Sequence, residues 1–445
     1  MRAILAGSVP NLVQWFNLYL YATFAPYFRT EFFDRNSPDS LIYVYGLFAL
    51  TFVVRPLGSW LFGRFADTRG RQRALVTAVT LMAAGSVALA LAPTERAIGA
   101  WAAVILVAVS ILQGIATGGE YAAATVLLSE SGTRGHRGFF ASFQGATIVG
   151  GLVLAQVCLL VLLLFGDRAE ISAWGWRVAF VAGGVAGVVS LWWARGTKRA
   201  SSAASSPSAG VSSAAGAASA STPPKSATSG EASTMKALLR DHWRPLVWVM
   251  LLTAGGSAAF YTATVTVPYI IRETFFGADG TAGELTATGL VLAAFVVLIL
   301  MQPLGGALSD RIGRKPLLIT FGAVGLLGAG VLVTAAAQVT SAPAVLGILV
   351  LAFAVLTCYL SVNGIAKAEV FPAHIRALGV GFGYAVANSL FGGTAPLLYH
   401  ATAGDGSVWF IVYLTVLLGV TLAAALVMRG GASTALDGPG GSAKG

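Results

Sequence analysis

Polar side chains recur at helical spacing inside stretches of this sequence that are otherwise apolar. Residues three and four positions apart lie on one face of a helix, so each series turns its donors and acceptors in one direction. The four series are Asn11, Gln14, Asn17 and Tyr21; Ser110, Gln113, Thr117 and Glu120; Ser257, Tyr261 and Thr264; and Tyr359, Asn363 and Lys367. Such side chains can bind a small polar ligand, and hydrogen bonding between neighbouring helices is their alternative use.

The stretches that carry these residues have the composition of membrane spans. Of the 445 residues, 56% are hydrophobic and only 10% are charged, whereas soluble domains carry about 25% charged residues. A spanning helix needs about 20 mostly apolar residues, and the sequence predicts twelve. Their windows are residues 9–28, 41–64, 74–93, 100–128, 138–165, 174–194, 245–270, 285–308, 316–337, 343–368, 376–399 and 407–428. The net charge of +10 is scattered over short loops, which argues against nucleic-acid binding.

Arg55 and Lys367 are basic side chains inside predicted spans. Arg55 precedes Pro56 and has no acidic neighbour in sequence. An unpaired arginine inside a membrane costs about 2.5–3.5 kcal/mol on insertion scales, so it requires an internal partner or an anionic ligand. A guanidinium can bind a carboxylate through two hydrogen bonds, whereas a lysine acts as a point charge. Together they predict a site for a small dicarboxylate, with a structural pairing of Arg55 to backbone carbonyls or to Glu120 as the alternative.

The full set of predicted substrate-binding residues is Arg55, Lys367, Tyr261, Gln14, Asn17, Gln113 and Asn363. Glu120 is the carboxylate placed clearly inside a span. A carboxyl group held between apolar surroundings and a nearby cation can gain and lose a proton in the working range of pH. It is therefore the predicted proton carrier, and a purely structural pair with an arginine is the alternative.

A charged loop between two spans occurs once in each half of the chain. The order G-x3-D-x2-G-R begins at Gly63 and returns 243 positions later at Gly306. A second pair of matching segments runs from Glu130 to Arg137 and from Glu369 to Arg376. Repeats of this kind predict two related bundles of six helices. The predicted gating residues are Gly63, Asp67, Arg71, Gly306, Asp310, Arg314, Glu130, Arg137, Glu369 and Arg376.

The predicted organisation is an all-α integral membrane protein with four parts. An N-terminal six-helix bundle covers residues 1–197, and a C-terminal six-helix bundle covers residues 244–429. The linker 198–243 is mostly Ala, Ser, Gly, Thr and Pro, and the tail 430–445 is Gly-rich, so disorder is expected in both. Most Lys and Arg residues fall on one side of the spans, which predicts that both termini and the linker are cytoplasmic and that the bundles lie in the cell membrane.

Several segments resemble the major facilitator superfamily, in particular its metabolite:proton symporter branch. The segments are Asn11–Tyr19, Gly118–Tyr121, Arg137–Phe139, Gly175–Arg177, Gly255–Ser257, Phe260–Thr262, Lys367–Pro372, Arg376–Gly381, Tyr384–Asn388 and Phe391–Gly393. The resemblance implies alternating access around a central cavity, with the G-x3-D-x2-G-R loops latching the cytoplasmic face. It also implies proton-driven uptake of an organic acid of the α-ketoglutarate kind.

Three positions depart from that branch. Gln14 and Asn17 stand where the first helix usually carries Glu and Asp, and Ser110 stands where the fourth usually carries Arg. Loss of one partner alone would leave a costly unpaired buried charge. All three charged residues are therefore replaced together by neutral ones, as if a buried charge cluster had been neutralised as a unit. Proton coupling is consequently the open question.

Other functions stay open at this stage. They are an uncoupled facilitator or exchanger, an exporter of a different small metabolite, and a transporter-like nutrient sensor. No enzyme, metal or cofactor is predicted, because the four histidines lack metal-ligand spacing and neither a nucleophile motif nor a phosphate-binding glycine loop occurs. The expected partners are an anionic small molecule, protons and the lipid bilayer, with the protein as a monomer.

Overall fold

The computed structural model describes residues 2–33, 39–69, 71–118, 125, 135–204, 235–372, 374–403 and 407–428. Within helices, the side chains of 2–8, 63, 64, 66–68, 71, 72, 75 and 193–204 fall outside that description. In the part of the chain so covered, the regular secondary structure is helical throughout. Most of the linker and the whole tail lie outside the described residues, so their predicted disorder stays a prediction.

The first half of the chain contains nine α-helices and one π-helical segment among the described residues. They are α1 (Arg2–Phe32), α2 (Ser40–Val53), α3 (Arg55–Arg69), α4 (Arg71–Ala90), α5 (Glu95–Ile98), α6 (Trp101–Gly118), α7 (Arg137–Phe165), α8 (Arg168–Glu170), a π-helix at Ile171–Gly175, and α9 (Trp176–Ala204). A single turn residue, Val54, separates α2 from α3, so the second predicted span consists of two helical pieces.

The second half repeats this pattern. Its elements are α10 (Met235–Asp241), α11 (Trp243–Tyr261), a π-helix at Thr262–Thr266, α12 (Val267–Ile312), α13 (Arg314–Gln338), α14 (Ala342–Leu360), α15 (Asn363–Glu369), α16 (Arg376–Ala387), a π-helix at Asn388–Gly392, α17 (Ala395–Ala401) and α18 (Val408–Val427). Helix α12 contains non-helical backbone at Asp279 and Gly280, which divides it between the seventh and eighth spans.

By length and composition alone, eight helical stretches of the described chain can cross a membrane. One of them, Trp243–Ile312, is 70 residues long and holds two spans across the break at Gly280. Helix α1, helix α4 and the α16–α17 stretch complete the twelve. The twelve-span, two-bundle fold predicted from the sequence is confirmed.

Small residues bring helices of one bundle into close contact. A methyl group added at Gly58 or Gly114 would overlap the carbonyl oxygen of Ile115 or Thr51, and one at Gly118 would overlap that of Arg55. The pieces α2 and α3 therefore pack backbone to backbone against α6, as is common between membrane helices. The two bundles meet chiefly where α7 packs along α12. The candidate site also lies at this interface between the bundles.

Candidate functional site: a pocket between the bundles and its two closed ends

Arg55 lies at the start of α3 and is 3% exposed. Its guanidinium carbon is 3.8 Å from the ring centroid of Phe52 and 5.6 Å from that of Trp15. The Nε and Nη2 atoms are buried, and no described residue completes a hydrogen bond with either. These two nitrogens share one edge of the guanidinium plane, which is the arrangement that binds a carboxylate through two parallel hydrogen bonds.

Lys367 is the buried basic residue of the tenth span, in the second bundle. It is fully buried in α15, and its Nζ donates to Asn363 Oδ1 at 3.1 Å and to the Tyr359 hydroxyl at 3.4 Å. Its Nζ also lies 5.0 Å from the ring centroid of Tyr384. The spacing of this polar series therefore did predict one shared face, although the chain turns at Ser361 and Val362 between α14 and α15.

A narrow pocket lies beside Arg55. Its lining residues are Asn11, Gln14, Trp15, Arg55, Thr117, Gly118, Gly381, Tyr384 and Ala385. The first six belong to the first bundle and the last three to α16 of the second, so the pocket spans the bundle interface. Arg55 lines the pocket directly, whereas Lys367 lies behind the ring of Tyr384, which lines it. No ion pair to either cation occurs among the salt bridges of the described residues.

The amide side chains of the first bundle that were predicted to bind substrate have two different environments. Gln14 lines the pocket and donates to the carbonyl of Thr117 at 3.2 Å. Asn17 instead faces the interior of its own bundle, where it donates to the carbonyls of Val13 and Gly183. Ser86 donates to Asn17 Oδ1 at 2.5 Å and accepts from Gln113 at 3.3 Å. Neutral groups thus satisfy Asn17 and Gln113 inside the first bundle, and their role in substrate binding stays a prediction.

Tyr261 lies beside the pocket at the end of α11. Its ring centroid is 5.1 Å from that of Phe52, the ring over which Arg55 lies. Sequence periodicity found this tyrosine but not two polar neighbours, Tyr19 of α1 and Asn388 of the last π-helix, which surround the same ring. Tyr19 follows Asn17 by two positions and falls outside the polar series, and Asn388 was noted only as part of a resemblance.

One end of the interface is closed by Asp310. Its Oδ1 accepts from the backbone N–H of Gly138 at 2.8 Å, and its Oδ2 accepts from that of Phe139 at 2.9 Å. These amides are the first of α7, where unpaired N–H groups and the helix dipole favour an anion. A methyl group on Gly306 would lie 2.5 Å from the carbonyl oxygen of Gly138. Gly306, in the second repeated loop, therefore lets α12 approach α7 closely enough for Asp310 of the same loop to reach the two amides. We call this region the Asp310 end.

Arg314 extends the contacts at the Asp310 end. Its Nη2 lies 3.3 Å from Asp310 Oδ1, and its Nε lies 3.5 Å from Glu369 Oε1. Arg376 donates from Nε to the carbonyls of Ala368 and Phe371. Three predicted gating residues, Asp310, Arg314 and Glu369, therefore meet in one cluster. Arg137 begins α7 beside it. Gly63, Glu120, Glu130 and the side chains of Asp67 and Arg71 lie outside the described residues.

The opposite end is closed by side chains that the sequence did not single out. Tyr27 of α1 donates to Glu284 Oε1 at 2.5 Å, although the two residues are 257 positions apart. Arg168 pairs with Glu273, and its Nη1 lies 3.8 Å from Glu284 Oε1. Arg272 donates to Gln156 at 3.4 Å. We call this region the Glu284 end. Contacts therefore occur at both ends of the interface among the described residues.

The arrangement of two bundles, a polar pocket between them and closing contacts at each end defines a secondary transporter. A family model described as sugar (and other) transporter matches residues 3–428, and the chain belongs to this family of the major facilitator superfamily. It is thus a multi-pass membrane transporter and not an enzyme. Among the residues that the structure covers, no group of three or more metal-ligating side chains occurs.

Similar proteins include transporters of several substrates. The chain is 35% identical to the alpha-ketoglutarate permease of Escherichia coli (strain K12), over 96% of this chain and 93% of the relative. It is 27% identical to the citrate-proton symporter of Klebsiella pneumoniae, over 90% and 84% of the two chains. It is also 27% identical to the proline/betaine transporter of Escherichia coli (strain K12), over 98% and 85%. The crystal structure of a D-xylose-proton symporter covers 95% of this chain and 96% of its own at a TM-score of 0.69 and 17% identity.

Proposed function

We propose that this chain carries a small organic acid of the α-ketoglutarate kind across the cell membrane by alternating access, with uptake driven by protons. The observation that carries the substrate class is the pair Arg55 and Lys367. They are buried in opposite bundles, Arg55 in the pocket lining and Lys367 against Tyr384 of the same lining, and neither has an ion-pair partner among the carboxylates within the described ranges. An acid with two carboxylates would neutralise both cations at once.

The pocket lining favours an acid over a zwitterion, although both kinds of substrate occur among the relatives. Two of them are named for α-ketoglutarate and citrate, and others are named for proline and betaine. A zwitterion needs an anionic or aromatic partner for its cationic part. The residues lining the described pocket include a guanidinium and no carboxylate, and the rings of Trp15 and Tyr384 already face Arg55 and Lys367. That composition favours a ligand with net negative charge.

In the proposed cycle the two ends open in turn. The basic residues Arg311, Arg314 and Lys315 adjoin the Asp310 end, and the positive-inside rule would place that end in the cytoplasm. Opening of the Glu284 end would admit the acid. One carboxylate would bind the Nε and Nη2 edge of the Arg55 guanidinium, and Lys367 would hold the second. Closure of that end and opening of the Asp310 end would release the acid inside.

Uncoupled transport or exchange is a second candidate, and one observation favours it. Asn17, where the related symporters usually carry a carboxylate, is satisfied by neutral partners, namely Ser86 and two backbone carbonyls. The predicted proton carrier, Glu120, would then have to act without that carboxylate.

Uptake of labelled α-ketoglutarate into proteoliposomes separates the two candidates. A proton-coupled carrier should accumulate the acid when the proton gradient is directed inward, and Glu120→Gln should abolish the accumulation while leaving exchange. Uptake that ignores the gradient would overturn proton coupling. The absence of uptake or exchange of any organic acid would overturn the substrate class.

Arg55→Gln tests the anion site. Hydrogen bonds to a charged group contribute about 1.5–3 kcal/mol, so we expect the apparent KM for α-ketoglutarate to rise about 10- to 100-fold. Arg240→Gln is the matched control, since the Arg240 side chain is 80% exposed. Size-exclusion profiles of both variants check folding. An unchanged KM in Arg55→Gln would make Arg55 a structural residue.

A further inference from the structure

Beside Arg55 lies a set of uncharged polar side chains that the dicarboxylate site does not use. They are Tyr19 of α1, Tyr261 at the end of α11 and Asn388 at the start of the last π-helix. Tyr19 and Asn388 are fully buried, and Tyr261 is 1% exposed. We call these three residues the phenol–amide cluster. Because Tyr19 belongs to the first bundle and the other two to the second, the cluster crosses the bundle interface.

Aromatic contacts bring the cluster to the guanidinium. Trp15 stacks on Tyr19 with ring centroids 5.7 Å apart, and Phe52 meets the ring of Tyr261 edge-on at 5.1 Å. Arg55 lies over both Trp15 and Phe52. The Tyr261 phenol therefore lies near Arg55, Tyr19 and Asn388.

The polar atoms of the cluster face one another and Arg55, but without the geometry of a full hydrogen bond. The hydroxyls of Tyr19 and Tyr261 and both amide atoms of Asn388 are buried, and no group of the described chain completes a hydrogen bond with them. Such a group costs about 1–3 kcal/mol when it has no partner, and buried polar groups nearly always have one. Their concentration next to the free edge of Arg55 indicates a polar ligand.

Other hydroxyls on the same helix behave differently. Thr253, Thr262 and Thr264 each donate to the carbonyl oxygen four residues earlier in the chain. Buried hydroxyls of this span are thus ordinarily satisfied within the helix. Tyr261 and Thr266 are the exceptions on this span, and Tyr261 is the one that lies beside Arg55 and the first bundle.

The backbone around the cluster gives a second observation. Tyr261 immediately precedes one π-helical segment, and Asn388 begins another. Such segments are frequently found at functional sites. Gly392 preserves the space, since a methyl group there would lie 3.1 Å from the Tyr261 ring and would overlap Asn388 Oδ1. Both residues of the second bundle are therefore placed by local backbone irregularity.

We propose that the phenol–amide cluster recognises an oxo or hydroxyl oxygen adjacent to the carboxylate that Arg55 holds, so that the transporter prefers 2-oxo and 2-hydroxy acids to unsubstituted acids. This inference rests on the proposed organic-acid function. The two phenols and the Asn388 Nδ2 atom are donors, and an oxo oxygen accepts from them. A hydroxyl substituent can also donate to Asn388 Oδ1. An unsubstituted acid leaves these buried donors without a partner and binds more weakly for that reason.

Competition against uptake of labelled α-ketoglutarate tests the proposal. The competitors are unlabelled α-ketoglutarate, 2-hydroxyglutarate and glutarate, which differ only in the substituent next to one carboxylate. In the unmodified protein we expect the inhibition constant of glutarate to exceed that of α-ketoglutarate about tenfold or more, as one lost hydrogen bond of about 1.4 kcal/mol implies. Tyr19→Phe and Tyr261→Phe should each reduce this ratio towards one, with the inhibition constant of glutarate unchanged.

The control is Tyr413→Phe. The Tyr413 hydroxyl donates to the Phe391 carbonyl at 2.9 Å in the same bundle as Tyr261, so its loss should leave the ratio unchanged. A ratio that stays at its original value in both Tyr19→Phe and Tyr261→Phe would overturn the assignment of the cluster while leaving the organic-acid function intact. If none of the three acids competes in the unmodified protein, the proposed function fails and the inference fails with it.

Discussion

The two ends of the bundle interface are closed by different kinds of contact. At the Asp310 end a carboxylate binds two backbone amides at the N-terminus of α7. At the Glu284 end the contacts join side chain to side chain, through Tyr27, Arg168, Glu273 and Glu284. The first closure needs one aspartate and a pair of glycines that allow close approach. The second is shared among several residues, each of which contributes part of it.

The difference has a mechanical consequence. The donors at the Asp310 end are backbone N–H groups that most substitutions at Gly138 or Phe139 would leave in place, so loss of the Asp310 side chain should have the larger effect. The Glu284 end combines one fully buried hydrogen bond with an ion pair that is partly exposed, since the Glu273 side chain is 37% exposed. Exposed ion pairs contribute about 0–1 kcal/mol. Substitutions there should therefore have graded effects.

Asp310→Ala should have the largest effect. It removes two charge-assisted hydrogen bonds, each of about 1.5–3 kcal/mol, and should shift the population at least about tenfold away from the state closed at this end. The measurement is the distance distribution between two spin labels, one on each bundle, near the Asp310 end. Asp241→Ala, which changes a 61% exposed side chain, should leave it unchanged. An Asp310→Ala distribution equal to that of the unmodified protein would remove Asp310 from the closure.

Tyr27→Phe should have an intermediate effect in the opposite direction. It removes the hydroxyl that donates to the buried Glu284 carboxylate, at a cost of about 1.5–3 kcal/mol for a hydrogen bond to a charged group. Spin labels near the Glu284 end should report about a tenfold shift towards the state open there. Tyr413→Phe serves as the control. If Tyr27→Phe lengthens distances at the Asp310 end instead, the two closures are not opposed.

Glu273→Gln should have the smallest effect. It breaks the ion pair with Arg168 but leaves the Tyr27–Glu284 hydrogen bond in place, so a change of about 1 kcal/mol or less is expected. Because salt screens exposed charges, with a Debye length of about 3 Å at 1 M, the difference from the unmodified protein should vanish in about 1 M salt. The same spin-label pair at the Glu284 end measures it at low and high salt. A large effect that resists salt would make Glu273 part of the buried closure.

The candidate site was predictable where its residues follow one helix or one repeat. Tyr359, Asn363 and Lys367 are four positions apart, and two direct contacts join them. Asp310 and Gly306 were found because their loop repeats an earlier one. Arg55 was found because a cation inside an apolar span is unusual. In each case the signal is local, so the sequence alone is sufficient to see it.

The sequence was less informative about residues whose neighbours come from distant helices. Some of them were missed, and others were predicted without their actual partners. Tyr19 and Asn388 face the same pocket region from different bundles, and no spacing along the chain links them. Asn17 and Gln113 belong to polar series, yet they bond to each other through Ser86 inside the first bundle. Helical periodicity states that residues share a face, but it does not state which neighbour that face meets.

For this protein the sequence by itself determined the helical class, the number of spans and the two-bundle plan, because membrane insertion depends on apolar length within each segment. It also determined that a cation lies in each bundle. Only the tertiary structure decided that both ends are closed, and that Tyr27 meets Glu284 across 257 positions of chain. Those contacts depend on how two bundles pack against each other, and that packing brings together residues whose separation in sequence carries no local signal.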